Sequence, residues 1–131
     1  MSRSSKIVIV PSRSELIVYR AGRPVRMFPA VVGKPSTPTP PGDFYVEESI
    51  ALRHTDPGAP FALALSARST VLQEFAGGPG QIAIHGRANI IGKLGTAVSH
   101  GCIRLDTEAI CWLASHVGPG APVTITGPSA R

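Results

Sequence analysis

The chain has 131 residues, 43% hydrophobic and 16% charged, which is one domain's worth of sequence with enough apolar content for a core and too little charge for a disordered chain or a charged coiled coil. Its 14 glycines and 13 prolines cut it into many short pieces, which predicts strands rather than long helices. Thirteen Lys and Arg against eight Asp and Glu leave a net charge of +5, yet 5% aromatic residues and the absence of a zinc-finger or RNA-recognition pattern argue against a nucleic-acid module.

Ile7 to Val10 and Leu16 to Tyr19 are apolar runs separated by Pro11-Ser12-Arg13-Ser14, the pattern of a hairpin. A turn at Ala21-Gly22-Arg23 leads into a third predicted strand, Pro24 to Val32, so the chain opens as antiparallel sheet. Residues 1 to 34 hold seven basic side chains against the single acid Glu15, a solvated surface or one that attracts an anionic polymer such as cell wall. Four prolines in residues 33–42, GKPSTPTPPG, remove backbone donors and predict a rigid loop that either connects sheets or walls a cleft. Asp43 to Ile50 returns to a strand pattern, and His54 to Pro60 is a further loop. Phe61 to Ser66 and Val71 to Phe75 are short apolar pieces, and Gly77 to Gly80 is a turn.

Gln81 to His85 alternates as a strand, with Ile82 and Ile84 on one face and Ala83 and His85 on the other. One helix is predicted, Thr107 to Val117. Asp106 caps it, Glu108 favours its positive end, Ala109, Ile110, Leu113, Ala114 and Val117 form its apolar stripe, and Gly118-Pro119 stops it. Pro122 to Thr126 closes a mostly-β domain. No stretch approaches the roughly 18 apolar residues of a membrane span, and no signal peptide is visible at the start. The two cysteines, Cys102 and Cys111, are expected to be free thiols.

Chemistry concentrates in Ser99-His100-Gly101-Cys102-Ile103-Arg104-Leu105, just before the helix cap. A cysteine attacks as its thiolate, scarce at neutral pH when the pKa is about 8.5, so a neighbouring imidazole or cation matters. In an extended segment His100, Cys102 and Arg104 share one face while Ile103 and Leu105 anchor the other, which predicts two cations beside the thiol. Gly101 permits backbone angles that aim amides at an oxyanion. His85 is a candidate base. The same residue types, with His116, also suit zinc, although the paired-ligand spacing of structural sites is missing. Residues alone leave nucleophilic, metal-binding and purely structural roles open. Cys111 reads as a small hydrophobe inside the helix, and His54 carries no signal.

The sequence resembles the L,D-transpeptidase catalytic domains, cysteine enzymes of bacterial peptidoglycan. Their signature is a histidine, a gap, then Ser/Thr-His-Gly-Cys, a hydrophobic residue and Asn or Arg. Here it reads His85-Gly86, a short intervening segment, and Ser99 to Arg104; Val32-Gly33-Lys34, Thr37 to Phe44 and Pro122 to Ile125 extend the likeness over most of the chain. The resemblance implies a β-sandwich-like fold with one main α-helix, occupying residues 1–131 as a single catalytic domain with an ordered core over about 5–127. It implies a penicillin-insensitive acyltransferase in which Cys102 is the nucleophile, His85 the general base and the Gly86 carbonyl its orienting partner. Ser99 and His100 would shape the site, the Gly101 and Cys102 amides would form the oxyanion hole, and Arg104, where many members carry Asn, would meet the carboxylate of the donor stem. The implied substrates are peptidoglycan stem peptides and the implied covalent inhibitors carbapenems, with no cofactor, metal, nucleic acid or membrane span, and a monomer. Water in place of an amine acceptor would make the protein an L,D-carboxypeptidase; a non-catalytic wall-binding domain is the alternative from another class. The family's substrate lies outside the cytoplasm, so the expectation is an excised catalytic domain or export by a route not visible here.

Overall fold

A computed structural model of the chain describes residues 5–33, 40–56, 59–68, 81–86, 97–99 and 102–127. The strands are β1 (Ser5–Val10), β2 (Glu15–Arg20), β3 (Arg23–Pro29), β4 (Val32–Gly33), β5 (Gly42–Ala51), β6 (Phe61–Arg68), β7 (Gln81–Gly86), β8 (Ala97–Ser99), β9 (Ile103–Leu105) and β10 (Pro122–Ile125), with the helix α1 (Thr107–His116) between the last two. Among the described residues the expected mostly-β chain with one main helix near the C-terminus is what forms. The expected piece Val71 to Phe75, the Gly77 to Gly80 turn and most of the proline-rich loop fall outside the described residues.

The predicted hairpin is β1 against β2, Ile7 opposite Val18 and Ile9 opposite Leu16. Its turn is a short 3-10 segment, Pro11–Arg13, left through Ser14 at φ 53°. The next turn places Ala21 at φ 53° and Gly22 at φ 81°, two successive positive values that match the twist of the strands they join. The third strand ends earlier than the sequence pattern suggests. β3 stops at Pro29, and Ala30, Val31 and Val32 are each 0% exposed; a run covered on both faces is not the half-buried alternation of a surface strand. Ala30 N–H donates to Ser14 O at 2.9 Å, and the chain leaves the first sheet for β4, which pairs parallel with β8.

Eight strands form one hydrogen-bonded order, β3-β2-β1-β10-β5-β6-β7-β9. β5 joins its two halves, pairing with β10 through Gly42 to Tyr45 and with β6 through Val46 to Ala51, with a register shift between Val46 and Glu48. The outer strands of this order then meet. Val31, just past β3, exchanges two 2.9 Å hydrogen bonds with Arg104 of β9, so the sheet curls into a closed sandwich. Its interior is a single apolar cluster that includes Ile7, Ile9, Leu16 and Val18 from one half and Leu63, Leu65, Ile82, Ile84 and Ile103 from the other.

The helix forms as its signals predict. Asp106 Oδ1 accepts from the Ala109 amide at 2.8 Å, and Val117 is already extended at φ −130°, so the last helical residue is His116 rather than Val117. Ala109, Ile110 and Leu113 are buried; each fully buried Leu or Ile contributes about 1.5–3 kcal/mol relative to exposure. The helix lies on β6 and β7 and reaches β3 through Trp112, whose ring centroid is 5.8 Å from that of Phe28, with the Arg26 guanidinium 4.7 Å above the indole. Because Asp106 follows β9 directly, the cap fixes where the helix starts relative to the cysteine strand. Asp106→Ala is expected to lower stability by about 1 kcal/mol, read as a fall in the urea midpoint at unchanged slope, with Asp106→Asn close to the parent. No helix among the described residues is long and apolar enough to cross a membrane.

Candidate active site

β7 and β9 are parallel neighbours with Ile84 opposite Ile103 and His85 opposite Arg104. Both isoleucines are 0% exposed and point into the core. Alternation then turns Ala83 and His85 of β7 to the other face, together with Arg104 and, one residue before β9, Cys102. Two residues from each strand thus make one patch, with Cys102 diagonal to His85 and the small Ala83 beside it. The strand patterns read from the sequence put His85 and Cys102 on the faces where they are found.

His85 is half-buried, and its Nδ1–H donates to the Gly86 carbonyl at 2.6 Å. That bond selects the tautomer and leaves Nε2 as the nitrogen with a lone pair. Burial lowers the His85 pKa below 6.5 and the charge of Arg104 lowers it further, while the Gly86 hydrogen bond works in the opposite direction. The ring is therefore neutral at pH 7, the form that accepts a proton.

Cys102 is 6% exposed. Burial pushes its thiol up to about 11, against a hydrogen bond with the Ala83 backbone and the charge of Arg104, both of which pull it down. A cation beside the thiol predicts a lowered pKa, and Arg104 does act in that direction, but loss of hydration costs the thiolate more than one neighbouring guanidinium returns. The resting site is a neutral thiol with a neutral imidazole. Such a pair gains from a base positioned to take the proton during attack, because little thiolate exists beforehand.

Arg104 is half-buried, and burial lowers its pKa while Cys102 opposes the shift. Its backbone N–H and C=O are both engaged by Val31, and it stands opposite His85 of β7 in the strand register. Ser99 ends β8 opposite Gly33. His100 and Gly101 lie outside the described residues. His116, the further ligand of the zinc alternative, is engaged elsewhere: its Nδ1–H donates to Trp112 O at 2.7 Å and its ring stacks on the indole at 4.1 Å. Among the described residues no three His, Cys, Asp or Glu side chains are grouped to hold a metal ion. Cys111 is half-buried and free.

Sequence reasoning missed Val31 and Ala83. Ala83 carries no functional group, and its contribution comes through the backbone. The signal for Val31 was the unbroken Ala30-Val31-Val32 run after Pro29, which fits a segment buried on both sides better than the end of a strand.

Residues 4–125 match the family model of the YkuD domain, described as the L,D-transpeptidase catalytic domain. A putative L,D-transpeptidase YkuD of Bacillus licheniformis is 34% identical over 124 residues, 92% of this chain and 65% of that protein. Among solved structures, an L,D-transpeptidase from Mycobacterium tuberculosis superposes with a TM-score of 0.70 at 25% identity, over 95% of this chain and 58% of that one. An LD transpeptidase solved in complex with imipenem superposes with a TM-score of 0.68 at 26% identity, over 94% of this chain and 59% of that one. The chain spans less than two thirds of the length of each. Family match, fold and the order of the His-Gly and Ser-His-Gly-Cys segments agree, and the chain belongs to the YkuD family of L,D-transpeptidase catalytic domains.

Proposed function

We propose that the chain is a cysteine L,D-transpeptidase domain acting on peptidoglycan stem peptides outside the cytoplasm. The observation that supports this most is the shared face of β7 and β9, where Cys102 is grouped with a neutral His85 whose Nδ1–H is taken by Gly86. In this reading His85 Nε2 takes the Cys102 proton as Sγ attacks the carbonyl carbon of the third stem residue. The amides of Gly101 and Cys102 receive the developing oxyanion, and Ser99 and His100 shape the pocket. As the tetrahedral intermediate collapses, the C–N bond to the terminal D-alanine breaks and the His85 imidazolium protonates the leaving amine. An amine of a second stem, giving its proton to His85, then attacks the thioester and frees Cys102. Arg104 meets the donor's carboxylate, for which a guanidinium fork is suited.

The imipenem complex of a structural relative makes a carbapenem a fitting probe. Incubation followed by intact-mass measurement is expected to show one covalent adduct per chain; an unmodified chain after long incubation overturns the reading. Adding a tetrapeptide donor with a labelled amine acceptor separates the outcomes. Incorporation of label identifies transpeptidation, whereas tripeptide and free D-alanine without incorporation identify the L,D-carboxypeptidase. Binding to sacculi with neither product is the result expected of a non-catalytic wall-binding domain.

A further inference from the structure

We infer that residues 31–33 are the positioning element of the nucleophile, a backbone clamp that grips the chain on both sides of Cys102. The inference rests on Cys102 being the nucleophile, as proposed above. Upstream of the cysteine, Val32 pairs with Ala97 and Gly33 with Ser99, so the hold ends three residues before Cys102. Downstream, Val31 N–H donates to Arg104 O and Arg104 N–H to Val31 O, each at 2.9 Å, two residues past it. One continuous strip of three residues therefore holds both ends of the segment that carries the thiol.

The strip is itself well anchored. Ala30, Val31 and Val32 are each 0% exposed, and Ala30 N–H is bound to Ser14 O at 2.9 Å. Its partner needs such an anchor. β9 is only three residues long, and pairing with β7 along one edge would leave its register open to fraying; Val31 supplies the second edge at Arg104, the residue that faces His85. The distance between thiol and imidazole is thereby set by backbone bonds on two sides, and a displacement of about 1 Å in such a pair costs up to 100-fold in rate. Val31 is a positioning residue: its backbone groups act through Arg104, and its side chain serves the core.

That division of labour allows a test. Val31→Ala keeps both backbone bonds and truncates the buried side chain, whereas Val31→Pro deletes the N–H donor. The probe is imipenem, with the first-order acylation rate constant separated from the apparent dissociation constant. Val31→Ala is expected to lower the Tm by several degrees and leave the acylation constant within about twofold. Val31→Pro is expected to lower that constant by about 10- to 100-fold with the dissociation constant within about threefold. Equal acylation constants in the two folded variants overturn the clamp. Where Val31→Pro does not fold, amide exchange on the parent decides. The Arg104 amide exchanging as slowly as that of Ile84 supports the clamp, and exchange typical of a frayed end overturns it. If the parent takes no imipenem, the transpeptidase reading fails while the clamp is still read from iodoacetamide. A released strand uncovers Cys102, so Val31→Pro should alkylate there at least about tenfold faster than Val31→Ala, and equal rates overturn the inference.

Discussion

Cys102→Ala is expected to abolish carbapenem acylation and donor turnover, with no adduct in the intact-mass spectrum under conditions that fully modify the parent. Loss of the attacking atom leaves the remaining groups nothing to form a thioester with, so the expected fall is at least about 10⁴-fold. The thiol is 6% exposed and packs at the rim of the core; exchange for alanine removes one sulfur atom and is expected to shift stability by about 1 kcal/mol or less. Retained folding, read from the urea midpoint, separates lost chemistry from lost structure. Cys111, half-buried in α1, is the internal control, since Cys111→Ala should acylate like the parent. An adduct that survives Cys102→Ala and disappears in Cys111→Ala would move the reactive thiol to the helix and refute the assigned site.

Features governed by neighbouring residues were legible in the sequence. The β1–β2 hairpin, the alternation that turns His85 away from Ile82 and Ile84, and the Asp106 cap each depend on contacts within a few positions, and periodicity and capping chemistry report those directly. What escaped depends on closure of the sheet. β10 lies between β1 and β5 and runs parallel to β1, a pairing that joins Ile7 to Val123 across most of the chain and leaves no local trace. The break after Pro29 left only the unbroken Ala30-Val31-Val32 run as a local hint of burial on both faces; the long-range partners, Arg104 for Val31 and Ala97 for Val32, show that the chain has changed sheets.

The grouping of the candidate residues was legible in the sequence, and their protonation state was not. The family resemblance names Cys102, His85, Gly86 and Arg104 as candidates, and the β7–β9 register brings them to one place. The protonation state, however, is a matter of burial, which a motif does not carry. Counting charges near Cys102 predicts a thiol poised to ionise. The fold instead covers it, and desolvation outweighs the pull of Arg104 and of the Ala83 backbone. The same burial keeps His85 neutral. One cause therefore makes the Cys102 thiol a poor acid and leaves its neighbour His85 in the form that accepts a proton, so in the proposed reaction the proton moves within the attacking step.

That arrangement has a measurable signature in His85→Ala. At pH 7 the variant is expected to acylate about 10²- to 10⁴-fold more slowly than the parent, the usual contribution of a general base, and the deficit should shrink as pH rises. The sign follows from the two shifts. His85 lies below 6.5 and must be neutral to accept a proton, so the parent rate climbs through an acid limb centred below 6.5 and is flat across neutral and mildly alkaline pH. The variant depends on thiolate already present. Burial raises Cys102 to about 11 against the opposing pull of Ala83 and Arg104, and the substitution leaves Ala83 and Arg104 in place. The thiolate fraction is then about 10⁻⁴ at pH 7 and about 10⁻² at pH 9, tenfold per pH unit. The variant's acylation constant should rise about 100-fold between those values while the parent's stays level, and the two profiles converge toward pH 11. A variant slow but independent of pH from 7 to 9 would mean that the thiolate is already formed at rest, and His85 would lose the role of base. Parent-like rates at every pH would show that another group takes the proton.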